Sequence, residues 1–256
     1  LCRAVLVLLC LACGLPGPAP ATAAEAAAND LKIVLVPYGW LTGFSGKFGA
    51  RGYETNVTNS FAQLDKYLNF AAMAHMEVIY RDTVGLLGEF NYARLGDQTS
   101  RKGVGLDGQM SFTMTDLAAF YRLGNFALGQ QGSTASFDLL AGARIWTLDM
   151  KLSAEYMQMG DSVHMQKSWV DPTIGARTNI RFNDRWYAEL RGGVGGFGAS
   201  STFTWDTMAL IGYNFWENAT VLGGAVGLNY ESGSGRNNFK ANATLHGPVI
   251  GLAFTF

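Results

Sequence analysis

The stretch Gly247 to Phe256, reading Gly-Pro-Val-Ile-Gly-Leu-Ala-Phe-Thr-Phe, decides the fold. Side chains alternate across an extended strand, so Pro248, Ile250, Leu252, Phe254 and Phe256 share one face while Val249, Gly251, Ala253 and Thr255 share the other. One face is bulky and apolar; the other is small. A chain that repeats this contrast is building a sheet whose two sides meet different surroundings.

Working back from that strand, the alternation recurs. Phe203, Trp205, Ala209, Ile211, Tyr213 and Phe215 stand opposite Asp206, Met208, Gly212 and Asn214. Trp186, Ala188 and Leu190 oppose Glu189 and Arg191, and Val170, Ile174 and Ile180 oppose Asp171, Arg177 and Arg181. Phe137, Leu139 and Ala141 oppose Asp138 and Arg144; Leu86 and Phe90 oppose Glu89; Met76, Val78 and Tyr80 oppose His75, Glu77 and Arg81. The first-named set is read each time as the outer face. Leu222, Val226, Leu228 and Tyr230, and in the first strand Val34, Val36, Tyr38 and Trp40, are read outward by the same rule.

Asp82-Thr83, Asn183-Asp184 and Glu217-Asn218 read as tight turns. Gly43 to Asn59, Asp149 to Lys167 and Glu231 to Asn238 read as long loops, Gly96 to Gly105 as a polar loop, and Ser60 to Leu68 as a helical turn or two. The strand from Leu106 to Arg122 loses its alternation near Asp116, which suggests a bulge. The expected fold is all-β, an antiparallel up-and-down transmembrane barrel of about ten strands, with eight and twelve as the bounds.

Composition agrees with this expectation. Charged residues make up only 15% of the chain, against 32 glycines and 12% aromatics, a balance that suits a lipid-facing wall with aromatic girdles better than a soluble enzyme. Residues 1–23 read as a signal peptide, with Arg3, an apolar run from Ala4 to Leu15 and the small residues Ala21-Thr22-Ala23, leaving residues 24–256 as one barrel domain. Cys2, Cys10 and Cys13 all fall in that leader. No basic field for nucleic acid exists, with 19 basic and 20 acidic residues overall.

Taken together, the leader, the alternating strands and the terminal phenylalanine resemble the small outer-membrane β-barrels of Gram-negative bacteria, the OmpA-like and opacity-porin-like group. Asp138 to Trp146, Trp169-Val170-Asp171-Pro172, Gly195-Gly196-Phe197-Gly198 with Thr204-Trp205, and Gly247-Pro248 resemble most closely a proteobacterial outer-membrane barrel family of unassigned function. The resemblance implies a place in the bacterial outer membrane after export through the periplasm. It also implies contact with outer-membrane lipid and lipopolysaccharide, and an assembly signal in Ile250, Leu252, Phe254 and Phe256 read by the barrel-assembly machinery.

The inward faces carry Glu77, Glu89, Asp138, Asp171, Glu189 and Asp206 against Arg81, Arg144, Arg177, Arg181 and Arg191. Charges at membrane depth persist when they face the interior and pair, and guanidinium forks suit carboxylates. A salt-bridged interior is therefore expected, with a structural or surface-interaction role. A narrow porin-like channel is the first alternative. A surface hydrolase built on Asp161, Ser162 and His164 is the second. Gly193 to Gly198 and Gly103 to Gly108 match a dinucleotide-binding spacing, but neither opens a helix in a strand–helix–strand unit, so no cofactor is expected. No catalytic residue is assigned, and no cysteine or paired-histidine spacing points to a metal.

Overall fold

The computed structural model describes residues 30–50, 53–59, 65–101, 104–129, 132–156, 159–232 and 240–256. The expected signal peptide and most of the loop after Glu231 lie outside the described residues. Twelve strands are present: β1 Leu31–Trp40, β2 Gly43–Ala50, β3 Tyr53–Asn59, β4 Leu68–Tyr80, β5 Val84–Arg101, β6 Val104–Ala127, β7 Thr134–Tyr156, β8 Met159–Arg181, β9 Trp186–Gly195, β10 Phe203–Trp216, β11 Ala219–Ser232 and β12 Lys240–Thr255.

Ten positions make the ring. Each strand from β4 to β12 pairs antiparallel with the next, β1 pairs with β4 on one side, and β12 returns to pair with β1. The seam runs from Val34↔Thr255 to Trp40↔Val249, and Ile33 and Phe256 exchange backbone hydrogen bonds of 2.9 and 3.0 Å below it. Above the seam β2 continues the line of β1, pairing Gly43 to Gly49 with His246 to Lys240. The step between them, Leu41-Thr42, is held by a Leu41 N–H to Pro248 carbonyl bond of 2.9 Å. The final strand is thus shared between β1 and β2, and β3 pairs with β2 alone.

The stretches read as loops are mostly sheet. Within Gly43 to Asn59 the described residues form the paired strands β2 and β3 rather than a coil, within Gly96 to Gly105 they extend β5 and β6, and within Asp149 to Lys167 they extend β7 and β8. These segments are rich in glycine and polar residues, and their backbones keep pairing well past the apolar belt. Of the helical spacing after Ser60, a single 3-10 turn at Asp65–Tyr67 is described, while residues 60–64 lie outside the described residues. No bulge occurs at Asp116, which stays in register with Glu89 and Arg144; the slip in β6 falls between Arg122 and Gly124.

Burial is inverted relative to a soluble domain. Leu86, Ile211, Leu190 and Leu139 are each more than half exposed on the outer wall, while Asp138, Arg177 and Arg144 are at most 4% exposed inside. Exposed apolar area on this scale costs too much in water and matches hydrocarbon. Two strands face opposite to expectation. In β1, Val36 and Trp40 are buried and Leu31, Ile33 and Leu35 are outside; in β11, Leu222 and Leu228 are buried and Val221 is outside. Both faces of these strands are apolar, so alternation alone carries no sign of which one turns inward.

Short turns at one end and long hairpins at the other set the orientation, since bacterial barrels keep short turns on the periplasmic side. A cysteine at Gly160, in the β7–β8 hairpin, should react with an impermeant thiol reagent on intact cells, and cysteines at Asn183 or Asn218 should stay silent until the outer membrane is opened. The reverse pattern would overturn the orientation.

Candidate functional site: the barrel interior

The interior is built from whichever face of each strand the ring turns inward, so its chemistry changes around the circumference. From β4 to β9 the inward positions carry charge. From β10 through β11 and β12 to β1 they are mostly apolar, with Leu210, Leu222, Val226, Ala253, Val34 and Val36, and with Asp206 of β10 and Lys32 of β1 as charged exceptions. The lumen is polar on one side and apolar on the other.

On the polar side the ion pairs cross the ring. Arg177 of β8 bonds Glu77 of β4, four strands away in a circle of ten, and also places Nη2 2.9 Å from Asp138. Arg191 of β9 donates to Glu89 of β5 at 2.8 Å, again four strands away. Arg144 of β7 reaches Asp116 at 2.6 Å and Asp206 of β10 at 2.8 Å. His75 joins two of these groups, with Nε2 2.9 Å from Glu77 and Nδ1 3.7 Å from Glu89. The Tyr38 hydroxyl meets Asn91 at 2.8 Å and Glu89 at 3.1 Å. Arginine suits these positions because its length spans the bore and its fork meets carboxylates with more than one N–H.

Seven of the eleven expected lumen charges join this cross-ring network: Glu77, Glu89, Asp138, Arg144, Arg177, Arg191 and Asp206. Four do not. Arg81 has positive φ in the turn after β4 and pairs with Asp30 at 2.9 Å on the surface, because the strand ends one residue before it. Arg181 is exposed at the short-turn mouth. Asp171, fully buried, accepts from the Ser201 backbone N–H at 2.7 Å and from the Ser201 hydroxyl, so it anchors the loop after β9 instead of pairing with arginine. Glu189 lines the lumen but makes no hydrogen bond or ion pair among the described residues. Two members escaped the sequence reading. Asp116 was masked by the supposed bulge, and Arg122, which grips Asp138 at 2.8 Å, sits at the end of β6 beside the true register shift.

Toward the hairpin end the bore is closed by apolar side chains. Trp40 of β1, Met114 of β6, Trp146 of β7 and Leu228 of β11 form one buried cluster, with Phe112, Trp169, Tyr230 and Leu245 against it. Trp146 stacks on Trp169 with centroids 5.7 Å apart and meets Tyr230, four strands away, at 5.8 Å. Arg144 lies 5.9 Å from the Trp146 ring and joins the aromatic layer to the ionic one.

Of the suggested catalytic trio, only His164 has a described side chain, and its Nε2 lies 3.0 Å from Asp149 across the β7–β8 pair. His164 occupies the same strand face as Val170 and Ile174, so the pair points away from the bore. Gly193 to Gly195 close β9, and the positive-φ residues Gly196, Phe197 and Gly198 turn the chain back into strand β10, with no helix following.

No protein-family model and no curated protein matches the chain. Among solved structures, the outer membrane protease OmpT from Escherichia coli superposes with a TM-score of 0.54 at 10% identity, covering 89% of this chain and 97% of OmpT. The attachment invasion locus protein Ail of Yersinia pestis gives a TM-score of 0.39 at 13% identity, with 88% and 98% covered. Neisserial surface protein A gives 0.31 at 10% identity, with 88% and 97% covered. The OmpT likeness bears on fold and not on activity. Ring closure, the lipid-facing wall and this likeness agree on the fold: the chain is a closed transmembrane β-barrel of the kind seen in outer-membrane proteins.

The face assignments can be tested on adjacent residues of β9, where Leu190 is outside and Arg191 inside. Leu190→Arg should cost about 2–4 kcal/mol of stability in bilayers, as a lipid-facing charge near mid-depth does. Arg191→Leu should cost about 3–5 kcal/mol by stranding Glu89, and Glu89→Gln added to it should recover much of the loss. Urea titration of refolded protein in vesicles measures all three, and an Arg191→Leu protein of unchanged stability would refute the pairing.

Proposed function

We propose that the protein is a non-enzymatic barrel whose interior is a built-in plug, with a structural or surface-interaction role in the outer membrane. The observation that carries this reading is that the interior contacts cross the bore. The Glu77–Arg177, Glu89–Arg191 and Trp146–Tyr230 contacts each join strands four apart in a ring of ten, so ionic and aromatic layers both occupy the path a solute would take. A selectivity ring would instead leave its charges around an open axis.

What remains for interaction is the outside. The β2–β3, β5–β6 and β7–β8 hairpins extend the wall beyond the apolar belt. On the outer face of that wall Arg94 bonds Gln109 at 2.9 Å, and exposed Lys151 neighbours His164. Basic and amide groups at this height support contact with the phosphates and sugars of lipopolysaccharide. The phenylalanine of the closing strand, Phe256, lies on the exterior beside the seam, a position that supports reading by the barrel-assembly machinery.

Refolded protein in planar bilayers should give no stepwise current. Removing both Trp40 and Trp146 by alanine substitution should produce conducting events, because those rings occupy the bore at the hairpin end. Stable open-channel steps from the unaltered protein would favour the porin reading.

A further inference from the structure

Below the plug the barrel is hollow. A cavity of about 840 Å³ extends toward the short-turn end, with Asp82, Asn183, Asp184, Glu217 and Asn218 around its mouth. That volume lies in the range of small-molecule sites, and an apolar wall facing a few polar groups is their usual lining.

The charges along the polar wall do not balance. Around the cavity Glu77, Asp82, Glu89, Asp184, Glu189 and Glu217 stand against Lys32, Arg122, Arg177 and Arg181, with His75 held between Glu77 and Glu89. Glu77, Glu89 and Asp82 each meet a guanidinium, and Asp184 and Glu217 lie exposed at the mouth. Glu189 lines the cavity without an ion pair or hydrogen bond among the described residues. Beside it stand Tyr187, two positions along β9, and Leu210, its register neighbour on β10, and Tyr187 packs against the cluster of Val36, Leu222 and Ala253. Glu189 is within the electrostatic reach of Arg177 and Arg191, but both guanidinium groups are bonded to other carboxylates; a carboxylate held away from bulk water without a hydrogen bond is costly, and a bound cation offsets that cost.

We propose that this vestibule is a binding site for a small organic cation with an apolar body, entering from the short-turn side. The cationic head would sit against Glu189, with the Tyr187 ring available to it, and the body would lie on the Val36–Leu222 wall. Other ligand classes fit less well. An anion could find the exposed Lys32 and Arg181 but would meet Glu77, Glu89 and Glu189 inside; a neutral amphiphile would leave Glu189 without a hydrogen bond. A bare divalent ion needs several oxygen ligands, and no cluster able to hold a metal occurs among the described residues. The proposal goes beyond a silent, plugged barrel, since a cavity closed at one end binds without conducting.

The test is isothermal titration of the full barrel in nanodiscs with hexylammonium, with hexanol and hexanoate as neutral and anionic counterparts and empty nanodiscs as the blank. Hexylammonium should bind saturably, hexanol at least about tenfold more weakly, and hexanoate not at all above the blank. Glu189→Gln should weaken the amine about tenfold and leave hexanol unchanged, whereas Glu217→Gln at the mouth should change little. Equal binding of amine and alcohol, an unaffected Glu189→Gln protein, or no saturable heat beyond the blank would each overturn the proposal. The amine-to-alcohol comparison needs no variant, and the bilayer current is read separately, so failure of the site and failure of the plug are distinguishable.

Discussion

The structure depends on the closure of β1 against β12. In hydrocarbon an unpaired backbone N–H or C=O has no water to turn to, so a sheet that crosses the membrane must leave no edge. The seam from Val34↔Thr255 to Trp40↔Val249, extended by the Ile33–Phe256 bonds, meets that demand. Closure also removes the freedom to choose faces strand by strand. Once Ile250 and Leu252 face lipid, register places Val34, Val36, Tyr38 and Trp40 inside, whatever their hydrophobicity.

A ring of ten strands has a bore that long side chains from opposite walls can span. The chain fills it in two ways. On the β4–β9 side, arginines reach carboxylates several strands away and each pair removes two charges from the bore. On the β10–β1 side, apolar residues need no partner, so few charges must be satisfied there. At the hairpin end the two sides meet through Trp146, which stacks on Trp169 and touches Tyr230 while Arg144 lies near its ring. Toward the short turns the side chains no longer meet, and the cavity remains.

Ring topology, strand number and the polar half of the lumen were legible from alternation, because an aspartate or arginine between two leucines states which face is inside. Legibility failed where that contrast was missing. β1 and β11 are apolar on both faces, and only closure orients them. The hairpin extensions are rich in glycine and polar residues, which read as loop, although Met150, Leu152, Ala154 and Tyr156 still alternate with Asp149, Lys151, Ser153 and Glu155 and the pairing continues through them. Parity misled at Arg81, one residue past the end of β4, and at Asp171, whose inward side chain is taken by a loop serine rather than by an arginine. The partner of each charge was beyond reach, since Glu89 and Arg191 are 102 residues apart and only the ring brings them together.

The glycines follow from the same geometry. A wide side chain that leans across the bore needs a neighbouring strand with nothing on its inner face. A Cβ at Gly85 would come within 2.5 Å of the Phe120 ring, and one at Gly212 would run into the ring of Tyr187. Phe120 in turn lies 4.7 Å beneath the Arg177 guanidinium, so the glycine in β5 sets the height at which a central ion pair is held. The glycines with nucleotide-loop spacing answer to backbone instead: a Cβ at Gly195 would come within 2.5 Å of the Pro172 carbonyl, and Gly196 and Gly198 have positive φ in the turn into β10. A larger residue at Gly85 would press at once on the Phe120 ring beneath Arg177 and on the Val78 backbone carbonyl, and one at Gly212 would press on the Tyr187 ring that packs against Val36 and Leu222.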